Sequence, residues 1–339
     1  MIDFTLGGWP VSNFEFTVAT HALTLDHYRR DWTPASDVGL AGMWIGAVVN
    51  DAAGQTYWGL RGADDFIAGM THVVSPITGF KKLPASFDPD PPHLFAEYSN
   101  IDWFEPMTYA DADEKITLSY PSGCIERDGG EFHWHDASGR WEMHGTNVTD
   151  VFTIHVPEQR GVTEQVYYRH ELMAATGTIE GVPVSGYLHQ DYAYGPPAMV
   201  YPELPIARHL QGMWVSWMHQ YPDGQWGGGC FWQGRDGVAF GPGYQVIDGV
   251  TTAYDDITAT PTFDDAGKLT RLDTNIGSDT YTFTFDTSGS YIHYFGRLSS
   301  SSSDQVPARS WCWVEYAGAL LTPEILDMVM TPFDLARGR

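Results

Sequence analysis

Asp191, His189 and His219 are side chains that can move a proton near neutral pH, and they lie in two neighbouring runs dense in aromatics. The runs are GYLHQDYAYG, from Gly186 to Gly195, and WVSWMHQYPDGQW, from Trp214 to Trp226. A carboxyl among aromatic rings loses hydration, so its pKa rises and it can hold a proton for delivery to an electron-rich alkene or enol. An imidazole can orient a water or take its proton. Tyr194 can donate a hydrogen bond to the same substrate. Tyr187, Trp214 and Trp217 offer ring faces that stabilise a developing cation by about 0.5–2 kcal/mol, and Tyr192 and Tyr221 extend the aromatic wall. Other readings stay open: Asp191 could cap the turn before Tyr194-Gly195-Pro196, and each histidine could be an ordinary strand residue.

A β-strand positions such residues by alternation. Tyr187, His189 and Asp191 then share one face, with Leu188, Gln190 and Tyr192 on the other. In the second run Trp217, His219 and Tyr221 share a face, opposite Trp214, Ser216 and Met218. If both strands line one cavity, an acid and two imidazoles sit in an aromatic box.

A second constellation is Phe132-His133-Trp134-His135-Asp136, a histidine pair at strand spacing. His-X-His beside a carboxylate can bind zinc or non-haem iron. The linear sequence shows no third ligand at a recognisable distance, so solvent-facing strand residues are the expectation and no metal is assigned. Trp226 and Trp232 suit either core or cavity. The acids of FDPDPP and FDDAG do not match the spaced calcium loop and read as turns.

Along the chain, short strands recur between turn signals. Met43 to Val49 and Gln55 to Leu60 form a hairpin around Asn50 to Gly54. Gly129-Gly130, Ala137-Ser138-Gly139, Pro222-Asp223-Gly224 and Arg235-Asp236-Gly237 read as further turns. The stretch 66–92 reads as irregular, and 198–212 as a short helix or lid. Thr280 to Phe285 alternates as a half-buried strand. A C-terminal helix is expected after Thr322 as N-cap, with Pro323 at N1 and Glu324 in its first turn. This pattern predicts an all-β chain. Its length suggests two β-barrels side by side, divided near Gly237 to Gly249 into residues 1–240 and a smaller 241–339.

Hydrophobic residues make up 43% of the 339, enough for a substantial core. The formal net charge of −25 argues against nucleic acid, anionic membranes and phosphate-rich substrates, all of which need basic patches. Cys124, Cys230 and Cys312 are scattered and odd in number, so a reducing compartment, the cytoplasm, is expected rather than a disulfide framework. The first residues lack signal-peptide features, and no apolar run is long enough to span a bilayer. Gly-rich phosphate loops and a Gly-X-Ser-X-Gly elbow are absent, and no cofactor is expected.

Several of these motifs together resemble the hydroxyneurosporene synthase (carotenoid 1,2-hydratase)-like family, which includes kievitone hydratase and related fungal Diels–Alderases. The matching pieces are Gly186-Tyr187, Asp191-Tyr192-Ala193-Tyr194-Gly195, Trp214-Val-Ser-Trp217, Asp223-Gly224 and Asp236-Gly237. The hairpin MWIGAVVNDAAGQTYWGLRG and the late strand WCWVEYAG look like the family's opening and closing strands. The resemblance spans roughly residues 40 to 320 and implies two lipocalin-like β-barrels in tandem. Asp191 matches the family directly and Tyr194 by type only, because the family often has His after the Asp and Trp before the closing Gly. His189 has no family counterpart. The resemblance implies a cofactor-independent hydro-lyase or isomerase of secondary metabolism. Its substrate would be an apolar small molecule, a terpenoid, polyene or phenolic alkene, hydrated, dehydrated or isomerised at a C=C bond. Two alternatives are a Diels–Alderase-like pericyclase or cyclase acting on a polyene, and a lipocalin-like carrier without catalysis.

Overall fold

Alternation with period two governs the molecule, and it divides the apolar side chains into three separate cores. A computed structural model describes residues 15–316 except 65–66, 76–78, 83–104, 113, 122, 138, 160–161, 163, 205, 236, 289–292 and 303–304. The first sheet comprises β1 (Thr17–His21), β2 (Gly39–Asp51), β3 (Thr56–Asp64), β4 (Ile67–Ser75), β5 (Gly79–Lys82), β6 (Glu105–Pro106), β7 (Thr108–Ala112), β8 (Lys115–Tyr120), β9 (Gly123–Asp128), β10 (Glu131–Asp136), β11 (Trp141–Asn147), β12 (Val151–Val156), β13 (Val166–Ile179) and β14 (Val182–Gly195). The second comprises β15 (Gln211–Gln220), β16 (Trp226–Gly234), β17 (Gly243–Ile247), β18 (Val250–Tyr254), β19 (Thr258–Phe263), β20 (Leu269–Ile276), β21 (Asp279–Ser288), β22 (His293–Ser301) and β23 (Arg309–Tyr316).

The first sheet runs β5-β4-β3-β2-β14-β13-β11-β10-β9-β8-β7, with β12 on β13 and β1 beyond it. The second runs β18-β17-β16-β15-β23-β22-β21-β20-β19. Both are antiparallel and curl into half-barrel form, consistent with two lipocalin-like barrels. The first sheet ends at Gly195 and the second begins at Gln211, while residues 237–249 lie between β16 and β18 of the second.

The hairpin turns fall where the sequence places them. Gly54, Gly129, Gly139 and Gly224 each take a positive φ there, a conformation open to glycine at no steric cost. One expectation needs correction. The stretch read as irregular contains β4 and β5, because β-branched residues such as Ile67, Val73 and Val74 pair with β3 whatever the Gly and Pro around them suggest. The segment 198–212 carries a 3-10 turn at Tyr201–Glu203 and a single π turn at Ile206–Leu210, which leads into β15. The expected C-terminal helix lies outside the described residues. Among the described residues, no helix is long and apolar enough to cross a membrane.

One core fills the first half-barrel, around Met43, Ile45, Trp134, Trp141 and Leu188. A second lies between the sheets, around Trp58, Tyr187, Trp214, Trp232 and Trp313. The third fills the second half-barrel, around Val215, Trp217, Phe231, Phe283 and Val314. β14 is therefore buried on both faces from Gly186 onward. A strand with both faces covered normally reads as a continuous apolar run. Its polar members, His189, Gln190 and Asp191, are the exceptions.

Candidate active site between the sheets

Asp191 stands on β14 directly between His170 of β13 and Trp44 of β2. Two residues earlier on the same face, His189 stands opposite Gly46 of β2. Glycine is needed there, because a Cβ would collide with both the His189 imidazole and the Trp313 ring. The bare backbone of β2 thus lets a histidine from the first sheet and a tryptophan from the second share one spot. From the second sheet, cross-strand pairing aligns Trp214 of β15, Glu315 of β23 and His293 of β22.

These groups form a polar cluster enclosed by aromatic rings. Tyr168 Oη donates to Asp191 Oδ2 at 3.1 Å and accepts from Trp214 Nε1 at 2.8 Å. His189 Nδ1 lies 3.3 Å from Asp191 Oδ1. The His189 ring stacks on His170 at 5.5 Å and meets the rings of Trp214 and Trp313 at 5.0 Å each. His170 Nδ1 is 2.8 Å from Tyr244 Oη. Gln211 Nε2 donates to Glu315 Oε2 at 3.4 Å. His293 Nδ1 accepts from Trp313 Nε1 at 2.9 Å, so this nitrogen carries no proton, and it lies 3.4 Å from Glu315 Oε1.

Burial and the nearby Asp191 carboxylate push the Glu315 carboxyl up to about 8, and the Gln211 hydrogen bond only partly opposes them. These surroundings favour the protonated form of Glu315 toward neutral pH. Burial, reinforced by His189, holds His170 well below the usual imidazole range. Both ring nitrogens of His189, Asp191 Oδ1 and His170 Nε2 make no hydrogen bond. Buried polar atoms are nearly always paired, so four orphans in one cluster call for a ligand or water to complete them. The site also reaches solvent, since the Asp191 side chain keeps 11% of its surface exposed and Glu315 keeps 23%.

The structure brings Tyr187, His189, Asp191 and Trp214 to this seam, and Tyr187 Oη donates to the Ser216 carbonyl at 3.0 Å. It places the other named residues elsewhere. Trp217 packs against Phe231, Tyr281 and Phe283 in the third core. His219 shares that face of β15, with Nε2 3.1 Å from Tyr221 Oη, and burial pushes it down to about 4. The two runs thus do not enclose a single box: strand alternation sends Trp214 and Trp217 into different cores.

Tyr192 and Tyr194 face the interior of the first half-barrel, where they line a cavity with Trp32, Met43, Leu118 and Arg127. Beside it Arg127 donates to Gln190 Oε1 at 3.0 Å and lies 3.5 Å from Glu171. Arg169 lies 3.6 Å from the same carboxylate and 3.8 Å above the Tyr192 ring. Two buried guanidiniums therefore share one carboxylate.

Sequence reasoning missed Glu315, His293, Trp313, Tyr168 and His170. A signal existed for two of them, Trp313 and Glu315. In WCWVE, alternation puts Trp311, Trp313 and Glu315 on one face, an acid in line with two indoles. Nothing local marks Tyr168 or His170, which gain their meaning from the strand beside them.

No family model matches the chain, and no curated protein matches it. Among solved structures, one titled kievitone hydratase from Nectria haematococca is 9% identical over 82% of this chain and 89% of its own, with a TM-score of 0.42. An AttH candidate from Nitrosomonas europaea is 12% identical over 87% and 98%, with a TM-score of 0.40. CghA is 7% identical over 82% and 88%, with a TM-score of 0.37. At these values the likeness is one of general architecture, and any chemistry rests on the seam itself.

Proposed function

We propose that the seam between the sheets is the active site of a proton-transfer enzyme acting on a carbon–carbon double bond of an apolar small molecule. The observation that carries this reading is the cluster of two carboxyls, Asp191 and Glu315, with the unpaired ring nitrogens of His189 among indole rings. Burial raises the proton affinity of Glu315, which pairs across the strands with Trp214 of β15. A carboxyl inclined to hold its proton, set among aromatic rings and near imidazoles, is a candidate general acid.

In hydration, Glu315 gives its proton to one alkene carbon and the indole faces shelter the cation at the other. A water held by one ring nitrogen of His189 attacks that carbon and loses its proton to His189 or Asp191. Solvent exchange at the exposed edge then returns a proton to Glu315. The net change is one alkene plus one water to one alcohol. Dehydration is the reverse, and loss of a proton from a neighbouring carbon gives isomerisation. Fixed dipoles in a site with little water supply much of the stabilisation.

Incubating the protein with a panel of terpenoid, polyene and phenolic alkenes in heavy water tests the reading. Deuterium should enter a product carbon, and Glu315→Gln and Asp191→Asn should each lower the rate by about 10²-fold or more. Incorporation at the wild-type rate in both variants would sink the proposal. A second reading, a carrier, is favoured by the cavity that Tyr192 and Tyr194 line inside the first half-barrel. A carrier would return an extracted apolar ligand unchanged and incorporate no deuterium.

A further inference from the structure

The histidine pair His133 and His135 lacks a third ligand in the linear sequence, but strand pairing provides one. β11 lies beside β10 with His144 directly opposite His133 and Glu142 opposite His135. On the other flank β9 brings Glu126 opposite His133. Phe132 and Trp134 turn inward to the first core, so the histidines between and after them face outward. Alternation on β11 likewise buries Trp141 and Met143 and turns Glu142 and His144 outward. Three adjacent strands thus place two carboxylates and three imidazoles on one patch of the outer surface.

The donor atoms within the patch are spaced as a ligand set. The Glu142 Oε1 atom lies 3.6 Å from His133 Nε2 and 3.4 Å from His144 Nε2. All three ligand atoms lie within 4.8 Å of one another. Two metal–ligand bonds of about 2.0–2.1 Å at a tetrahedral angle separate their donor atoms by about 3.3–3.4 Å. His133 Nε2 is shielded from solvent and makes no hydrogen bond. The opposite nitrogen, His133 Nδ1, faces Glu126 Oε2 at 3.4 Å, and Lys115 Nζ holds the other oxygen of Glu126 at 2.6 Å. A carboxylate behind a histidine fixes the tautomer that leaves the far nitrogen free to bind a metal. The rings of His133 and His144 are parallel and 4.4 Å apart, so one of them tilts when both Nε2 lone pairs turn to one ion.

We propose that His133 Nε2, His144 Nε2 and Glu142 Oε1 bind one divalent transition-metal ion of the zinc class, with Glu126 as the positioning residue for His133. Two imidazoles and a carboxylate suit zinc in preference to magnesium or calcium, which take oxygen ligands. The ion is approached from solvent, because Glu142 and His144 keep about half of their side-chain surface exposed, 49% and 56%. It would join β10 to β11 on the face opposite the first core, at a distance in the fold from the carboxyls between the sheets.

The test is calorimetric titration of the untagged, metal-stripped full chain with zinc chloride, in a buffer that does not bind zinc. One saturable site is expected in the wild type, together with a rise in melting temperature. His144→Ala and Glu142→Gln should abolish both effects, and Glu126→Gln should weaken binding about 10–100-fold. These residues are exposed or half-buried, so the variants should keep the wild-type circular dichroism and the wild-type melting temperature without zinc. Cobalt at the same site should give visible bands that His133→Ala removes. The absence of any saturable site up to about millimolar zinc would overturn the proposal. So would undiminished one-to-one binding in a His133→Ala/His144→Ala double variant, which would move the ion to other histidines.

Discussion

Glu315 shows how a single residue takes its chemistry from its neighbours. Burial, and then Asp191 of the other sheet, raise the proton affinity of its carboxyl. If Glu315 is the proton donor, turnover should fall as pH rises through about 8, and a pH–rate profile checks this. The same shift bears on stability. A folded-state pKa raised from 4.5 to about 8 means that the folded protein binds more protons than the unfolded chain across that window. The contribution is full below pH 4.5 and is lost as pH rises to about 8. Glu315→Gln should therefore gain stability relative to wild type as pH rises over this range, as urea midpoints would show. Asp191 and His189 were legible from residue type and strand spacing. Glu315 was not singled out, because its proton affinity depends on a carboxylate more than a hundred positions away.

Between strands, the decisive feature is β2 lying bare under the rings of another element. Gly46→Ala should push His189 and Trp313 aside and cost about 1–3 kcal/mol, the usual penalty of overpacking. Denaturant unfolding measures the cost, and loss of deuterium incorporation at near-native stability would show the displacement of His189. On the other face of β14, Glu171 lies between Arg127 and Arg169. Glu171→Gln would leave two buried cations without their counter-charge and should cost about 3–5 kcal/mol, read from the same unfolding curves. Alternation on β14 and β15 was plain in the sequence, including the separation of Trp214 from Trp217. Which core each face would meet was not, since that depends on how the sheets pack. β4 and β5 were hidden for a similar reason: β4 becomes a strand by pairing with β3, and β5 by pairing with β4, while the Gly and Pro around them suggest a loop.

For the molecule as a whole, buried neutral imidazoles set the acid limit. Burial pushes His219 down to about 4 and His170 well below its ordinary 6.5. Between those values the unfolded chain takes up protons that the folded protein refuses, so stability falls as pH drops from 6.5 toward 4. The Glu315 contribution runs the opposite way over part of this range, so variants are needed to separate them. His219→Gln should lose less stability on acidification than wild type, by up to about 3 kcal/mol at the acid end, measured as urea midpoints on either side of pH 6.5.

Because β14 is sealed between two cores, its backbone has no route to solvent that leaves either core intact. Its amide protons from Tyr187 to Ala193 pair on both sides, with β2 and with β13. In heavy water these amides should be among the last in the chain to exchange, at a rate that tracks global unfolding, while those of the outlying strands β7 and β19 exchange by local opening. Asp191 and His189 would then belong to the slowest-exchanging part of the molecule, and substrate would have to reach them without that strand giving way.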